Sequence, residues 1–232
     1  MSDQILVTSR NKGFVSAKRL DEGFVSALEK AALLRLASAT PPWINSDHLT
    51  LLGFLAQCLA GICYGLSRWH RSALLFGILF IALNWLGDSL DGTLARFRNR
   101  QRPRYGFYVD HIADSIAAVF LMGGLACSGY VHPAIAFGML VSFLMLSIEA
   151  YLATYTLGQF QLSYWKFGPT EIRILLIIGN IALLNHSVVT LFGMRFRLFD
   201  IGGSVAIFGM TAMLIVSAVS HTIRLYREET LA

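Results

Sequence analysis

Long apolar runs separated by short polar segments dominate the chain. A helix needs about 20 predominantly apolar residues to cross a bilayer. Six stretches meet that requirement, at about 48–67, 72–97, 106–128, 132–156, 170–189 and 199–223. The pattern therefore predicts an all-α, polytopic membrane protein with six transmembrane helices.

A shorter segment before the first span has the spacing of an amphipathic helix. Within residues 24–36, Glu29 and Lys30 lie opposite one apolar stripe, formed by Phe24, Leu28, Ala31, Ala32 and Leu36. We interpret the segment as a helix lying in the membrane interface; the alternative is a short soluble helix packed on the rest of the protein. The predicted organisation is a cytoplasmic N-terminal segment at 1–47, a membrane domain at 48–225 and a cytoplasmic tail at 226–232.

The composition supports a membrane protein. Hydrophobic residues make up 55% of the chain and charged residues 14%, whereas soluble domains carry about 25% charged residues. This excludes a disordered chain and argues against an ordinary soluble globule. The net charge of +5 is compatible with a nucleic-acid partner or with a membrane surface, so the positions of the charges must decide.

The basic residues are distributed unevenly between the predicted loops. If the N-terminus lies inside, the outer loops contain four of the 19 Lys and Arg residues, namely Arg68, Arg71, Arg195 and Arg197. The positive-inside rule then places both termini in the cytoplasm, with a bacterial-type inner membrane as the expected location. The positive charge faces anionic lipid headgroups, so no nucleic-acid partner is needed to explain it.

Four carboxylates lie within the second and third predicted spans. Asp88 and Asp91 are three residues apart and Asp110 and Asp114 are four apart, so each pair shares one helix face. An Asp near the centre of a spanning helix costs about 2.5–3.5 kcal/mol. Such residues face a cavity or a partner, which makes all four candidates for a functional site.

The short linker between these two spans brings both acidic pairs toward the cytoplasmic end. Carboxylates that close cannot all ionise unless cations lie between them. Oxygen ligands of this kind select Mg²⁺, Mn²⁺ or Ca²⁺. Two divalent ions held in this way would suit a diphosphate substrate, because they neutralise its charge together with that of the carboxylates.

Small residues accompany the acidic pairs. Gly92 and Ala95 follow the first pair and Gly106 precedes the second, which would leave a groove where a substrate approaches the backbone. Arg96 lies at the mouth of this groove and has the geometry for bidentate phosphate binding. The alternative for the three small residues is close helix packing, which they serve in any membrane bundle.

The complete pattern resembles a known signature. Residues 88–114 read DSLDGTLARFRNRQRPRYGFYVDHIAD, which resembles the motif of the CDP-alcohol phosphotransferase (CDP-alcohol phosphatidyltransferase) family. All eight signature positions are filled, although the stretch between Arg96 and Gly106 is about one residue longer than expected. Six predicted spans and an interfacial N-terminal helix also match that family.

The resemblance implies roles for individual residues. It makes Asp88, Asp91 and Asp110 metal ligands, with Asp114 both contributing to the metal cluster and acting as general base. It also implies Mg²⁺ or Mn²⁺ as cofactor, two ions in all, and a homodimer. Residues of the CDP site would be Gly92, Ala95 and Arg96, with Gly106 on the facing helix. Asn84 lies one turn before Asp88 on the same face, where it either joins the CDP site or hydrogen-bonds a neighbouring helix.

Four further residues are candidates for an acceptor pocket, each with an alternative reading. His111 follows Asp110 but points about 100° away from it, so it is either a pocket residue or a helix contact. Glu149 lies in an apolar stretch of the fourth span, where it either lines the pocket or pairs with a polar neighbour. Glu171 and Arg173 begin the fifth span near the expected mouth, where the alternative is snorkelling to the interface.

The predicted activity is metal-dependent transfer of a phospho-alcohol group from a CDP-linked donor to a hydroxyl, releasing CMP, in phospholipid biosynthesis. CDP-diacylglycerol with a small polar alcohol is the favoured pair. The alternative is a CDP-choline or CDP-ethanolamine donor with diacylglycerol as acceptor, which the sequence VDHIADS keeps open. More distant readings are a divalent-cation transporter and a prenyltransferase, neither of which accounts for Gly92, Ala95 and Arg96.

Overall fold

The computed structural model describes residues 18–20, 26–161, 169–191 and 193–229. Residues 1–17 and 21–25 of the predicted N-terminal segment and residues 230–232 of the predicted tail lie outside the described residues. The described helices are α1 (Ser26–Ala39), α2 (Ser46–Leu66), α3 (Ala73–Phe97), α4 (Pro103–Ser128), α5 (Pro133–Leu157), α6 (Pro169–Asn185) and α7 (Leu198–Glu228). Strands β1 (Lys18–Leu20) and β2 (Gln159–Gln161) pair in parallel, and β3 (Val188–Leu191) and β4 (Met194–Arg197) form an antiparallel hairpin.

The predicted all-α membrane architecture is confirmed. Five helices of the described chain are long and apolar enough to cross a membrane: α2, α3, α4, α5 and α7. The predicted fifth span corresponds to α6, which has 17 residues and lies at the lower end of the spanning range. The total of six spans therefore stays a prediction.

The predicted extent of the fifth span, 170–189, was wrong at its end. The helix ends at Asn185, and strand β3 begins at Val188. Val188, Val189 and Thr190 are β-branched and favour an extended backbone. Gly193 then adopts a positive φ of 78°, a conformation that glycine adopts without a steric penalty, between the two strands.

Glycines bring α2 into backbone contact with both of its neighbours. A Cβ added at Gly87 on α3 would lie 2.5 Å from the Gly53 nitrogen on α2. On the other side of α2, a Cβ at Gly61 would overlap the backbone of Phe120 on α4, and one at Gly124 would overlap Gly61. In the described structure α3 and α4 make few contacts with each other, so α2 holds them apart.

Helix α1 packs on the start of α2 and the end of α3. Leu33 and Ala37 are buried there in a cluster with Leu49, Leu90 and Leu94. Phe24 of the predicted stripe lies outside the described residues, and Ala31, Ala32 and Leu36 are exposed. The exposed residues are compatible with an interfacial helix, whose position at the membrane stays a prediction. The packing itself agrees with the alternative of a helix packed on the rest of the protein, but the sequence did not identify Leu33 and Ala37 as the buried face.

Helix α7 packs on its neighbours through side chains rather than through its backbone. A Cβ at Gly203 on α7 would lie 2.6 Å from Ile135 of α5, and one at Gly138 on α5 would lie 2.8 Å from Ile207. Phe199 of α7 fits in the same way against Gly179 of α6. The α5–α7 side of the bundle therefore interlocks through apolar side chains set against glycines.

Candidate functional site

Three carboxylates from α3 and α4 converge across the space that α2 leaves between these helices. Asp88, Asp110 and Asp114 each present an oxygen, and these oxygens all lie within 4.8 Å of one another. All three residues are partly buried. The i, i+4 spacing of the α4 pair directs both of its carboxylates toward α3.

Asp91 is held separately by two hydrogen bonds. One carboxylate oxygen accepts from the Thr50 hydroxyl on α2 at 2.5 Å, and the other accepts from the backbone amide of Gly92. Asp91 is therefore outside the three-carboxylate group, although it lies on the same helix one turn from Asp88. Its role as a metal ligand stays a prediction.

Arg173 reaches the carboxylates from α6. Its Nη2 donates to Asp88 Oδ2 at 2.7 Å and its Nε donates to Asn84 Oδ1 at 2.8 Å. The Asn84 amide group in turn donates to the carbonyl of Gly53 and to Gln57 on α2. Asn84, predicted in the CDP site, therefore links α2 to the arginine. Arg173 is brought directly to the acidic cluster.

This donor set fits a divalent metal ion. Mg²⁺ and Mn²⁺ prefer oxygen ligands, and the convergent oxygens of Asp88, Asp110 and Asp114 are close enough to share one ion. The one guanidinium shown pairing with these carboxylates among the described residues, that of Arg173, offsets their mutual repulsion in part. A bound cation would remove the remainder.

Gly92 and Gly106 do not serve helix packing in the described structure. A Cβ at Gly106 would meet no described atom within 4 Å, and one at Gly92 would meet the end of the flexible Arg96 side chain at 3.3 Å. Arg96 is exposed, and its guanidinium donates to Thr93; Ala95 is partly buried. These positions leave room beside the carboxylates, and their assignment to the CDP site stays a prediction.

His111 lies between the acidic cluster and α5. Its Nδ1 is 3.3 Å from Asp110 Oδ2, and its ring stacks on Tyr151 with centroids 4.8 Å apart. Phe107 covers the same histidine at 4.1 Å. His111 is thus both a helix contact and a neighbour of the site, so neither sequence reading excludes the other.

Glu149 faces away from Tyr151 and toward α7. Its Oε1 lies 2.6 Å from His221 Nδ1, which is the polar neighbour that the sequence left unnamed. Its Oε2 is buried and has no hydrogen-bond partner among the described residues. Glu171, the remaining acceptor-pocket candidate, lies in the first turn of α6 and is partly buried.

Sequence reasoning missed three residues that shape the site. The contact of Thr50 with Asp91 and that of Tyr151 with His111 were not predicted. Glu29 was assigned to the polar face of its helix. Glu29 instead accepts hydrogen bonds from α3 and α6. The available signal was that these polar side chains lie among apolar residues, which suggests that they have partners. The sequence does not show which helices meet, so it does not identify those partners.

Two arginines next to the α3–α4 linker, Arg98 and Arg102, are bound to neighbouring segments. Arg98 donates to the carbonyl oxygens of Thr40, Pro41 and Ile44. Arg102, which precedes α4, pairs with Asp47 in the first turn of α2. These contacts fix the linker that joins the two acidic pairs.

Comparison with known proteins agrees with this architecture. Residues 43–222 match the model of the CDP-alcohol phosphatidyltransferase family, and the chain belongs to that family. It is therefore an integral membrane protein from a family of transferases of phospholipid biosynthesis that generally depend on divalent metals. The resemblance read from residues 88–114 is confirmed.

Two curated relatives are similar over part of their length. Cholinephosphotransferase 1 of Gallus gallus is 26% identical over 193 residues, which cover 80% of this chain and 56% of the relative. Archaetidylinositol phosphate synthase of Methanothermobacter thermautotrophicus is 27% identical over 112 residues, which cover 46% of this chain and 54% of the relative. The matched regions thus span little more than half the length of either relative.

Proposed function

We propose that this chain transfers a phospho-alcohol group from a CDP-linked donor to a hydroxyl acceptor and releases CMP, with Mg²⁺ or Mn²⁺ as cofactor. The observation that carries the proposal is the convergence of oxygens from Asp88, Asp110 and Asp114 within 4.8 Å. Together with Asp91 these residues would hold the metal ions, two in number. A bound metal would neutralise the negative charge on the diphosphate oxygens and on the departing phosphate.

The chemistry of the chain's own residues follows from their positions. The acceptor oxygen attacks the phosphorus that bears the alcohol group, and the bond from that phosphorus to the bridging oxygen of CMP breaks. Asp114 takes the proton of the acceptor hydroxyl, which has too high a pKa to ionise unaided. Gly92, Ala95, Arg96, Gly106 and Asn84 would line the CDP site.

The acceptor side is assigned to the residues around Arg173. Its guanidinium is 2.7 Å from Asp88. A polar or phosphorylated alcohol that binds this guanidinium would therefore lie close to the reacting centre. His111, Glu171 and Glu149 complete the proposed pocket. The pairing of Glu149 with His221 supports a structural role for this residue, so it is the weakest member of the set.

CDP-diacylglycerol with a small polar alcohol is the favoured substrate pair. A second candidate is a CDP-amino-alcohol donor with diacylglycerol as acceptor. The observation favouring it is the match to a cholinephosphotransferase over 80% of this chain. A divalent-cation transporter is the distant alternative, and stabilisation by cytidine nucleotides would argue against it.

The experiment is a CMP-release assay on purified protein with Mn²⁺ or Mg²⁺. CDP-diacylglycerol is combined with serine, ethanolamine, choline, inositol phosphate or glycerol phosphate, and CDP-choline or CDP-ethanolamine with diacylglycerol. We expect release with one pair, loss of release in EDTA and recovery with added metal. The absence of CMP release from every pair, in protein that binds Mn²⁺, would refute the proposal.

Asp114→Asn is the decisive variant in this assay. Loss of the base should lower kcat at least about a hundredfold. Asp200→Asn is the matched control. Asp200 lies in the first turn of α7 and accepts a hydrogen bond from the backbone amide of His132, a bond that an amide oxygen preserves. Equal loss in both variants would show that the effect is not specific to the site.

The cellular arrangement is part of the same proposal. We place both termini and the carboxylate cluster on the cytoplasmic side of an inner membrane of bacterial type, with the protein as a homodimer. The distribution of Lys and Arg supports the orientation. The dimer is carried over from the resemblance of residues 88–114 to the family signature.

A further inference from the structure

Glu29 on α1 is the meeting point of three hydrogen-bond donors from two other helices. Its Oε1 accepts from Trp85 Nε1 at 2.8 Å and from Ser89 Oγ at 3.2 Å, both on α3. The same oxygen accepts from Thr170 Oγ1 on α6 at 2.9 Å. One carboxylate oxygen of the N-terminal helix therefore fastens α6 to α3.

This junction is adjacent to the contact between Arg173 and the acidic cluster. Thr170 precedes Arg173 by three residues, so both lie on one face of α6. Their partners on α3 are also neighbours, since Arg173 bonds residues 84 and 88 while Glu29 bonds residues 85 and 89. The Glu29 junction thus lies about one helical turn from the guanidinium.

Packing alone does not account for a carboxylate at this position. Glu29, Leu33 and Ala37 follow one another at four-residue intervals, and the last two are buried against α2 and α3. An apolar residue would continue that face, whereas a partly buried carboxylate must be matched by donors. Three donors from α3 and α6 meet that requirement. Glu29 therefore forms a specific polar link between α1 and these two helices.

We propose that Glu29 is a positioning residue, which holds α6 against α3 and so sets the position of the Arg173 guanidinium beside Asp88. The kinetic part of this inference rests on the proposed function, in which Arg173 belongs to the acceptor pocket. Helix α1 then acts on the active site through the position of Arg173, in addition to any role at the membrane surface.

A distance measurement tests the structural part without catalysis. Spin labels at Phe97→Cys on α3 and Ile178→Cys on α6, two exposed positions, are placed in protein that carries Cys127→Ser. We expect Glu29→Ala to shift or broaden the distribution of label distances. Glu29→Gln should preserve it, because an amide oxygen still accepts hydrogen bonds. Lys30→Ala, at the exposed neighbouring residue, is the control.

CMP release tests the consequence for the reaction, with the five alcohols named above as probes. Glu29→Ala should raise the KM for the acceptor about tenfold, the effect of losing a hydrogen bond to a charged group. Thr170→Val should do the same. The double variant should be no worse than either single variant, because both remove one connection. Glu29→Gln should recover most of the affinity.

The outcomes separate the two proposals. An unchanged distance distribution and unchanged KM in Glu29→Ala would overturn the positioning role. A lower melting temperature and lower kcat at constant KM would also overturn it, because that result describes a merely structural residue. A wild-type protein that releases no CMP would refute the proposed function, while the distance measurement would still decide the role of Glu29.

Discussion

At the scale of single residues, Asp91 is oriented by protein groups that donate to both of its carboxylate oxygens. The Thr50 hydroxyl and the Gly92 amide each donate to one oxygen. A carboxylate oxygen has lone pairs to spare, so these bonds orient Asp91 without preventing it from binding a cation. Thr50 therefore orients Asp91 from the neighbouring helix α2, a role that the sequence does not indicate.

Replacing Thr50 tests this orientation. Thr50→Val removes the hydroxyl but keeps the shape of the side chain. Because we propose Asp91 as a metal ligand, we expect the Mn²⁺ concentration for half-maximal CMP release to rise about tenfold. Thr50→Ser keeps the donor and should behave like the wild type. Similar behaviour of the valine and serine variants would contradict the prediction.

Glu149 offers a test of a second residue that sequence left ambiguous. Glu149→Leu removes the contact with His221 between α5 and α7, so we expect a loss of about 2 kcal/mol of stability, or roughly 4–8 °C in Tm. Glu149→Gln keeps an oxygen for the histidine and should lose less. Unchanged kcat/KM in both variants would remove Glu149 from the acceptor pocket, and a selective rise in acceptor KM would keep it there.

At the scale of helices, Gly87 and Gly92 on α3 have opposite surroundings. Gly87 abuts the backbone of α2, whereas Gly92 faces the Arg96 side chain beside the carboxylates. We expect Gly87→Ala to destabilise the protein by about 1–3 kcal/mol, as overpacking does. Gly92→Ala should leave Tm unchanged or higher, since alanine favours helix, but should raise the KM for the CDP donor.

The two variants are controls for each other because they place the same methyl group on one helix. Thermal unfolding in detergent and donor KM are measured on both. The reverse result, in which Gly92→Ala is destabilised with normal donor KM, would assign Gly92 to helix packing. That was the alternative reading of the sequence.

Helices were more predictable than the contacts between them. The apolar runs located α2, α3, α4, α5 and α7 because the length of an apolar run reflects the thickness of a bilayer. The hairpin β3–β4 was missed because a short run of β-branched residues at the end of a span looks like its continuation. The buried face of α1 was missed because Leu33 and Ala37 lie beside a longer apolar stripe.

At the scale of the whole molecule, the acidic cluster lies near one end of the bundle. The cluster, the α3–α4 linker and the start of α6 share that end, and the β3–β4 hairpin follows the opposite end of α6. In intact inside-out membrane vesicles, an impermeant thiol reagent should label Arg100→Cys and spare Arg195→Cys. Right-side-out vesicles should give the opposite result. Labelling of both residues from one side would contradict the proposed orientation.

The candidate site was predictable where it depends on local spacing. Asp88 with Asp91, and Asp110 with Asp114, repeat at helical intervals, so each pair was assigned to one face from the sequence. The connections of Thr50, Glu29 and Arg173 bridge residues that are 41 to 141 positions apart. A periodic pattern within one helix contains no information about which other helix it will meet.

The glycine contacts of α2 divide the molecule into parts that evolution can change at different cost. Around Gly53, Gly61, Gly87 and Gly124 the backbones themselves touch or nearly touch, so the relative placement of α2, α3 and α4 leaves no room for a larger residue. On the α5–α7 side, apolar side chains such as Ile207 and Met139 fill the gaps, and apolar exchanges of similar volume are tolerated there. A lineage could therefore redesign α5, α6 and α7 for a new alcohol while inheriting the same carboxylate geometry.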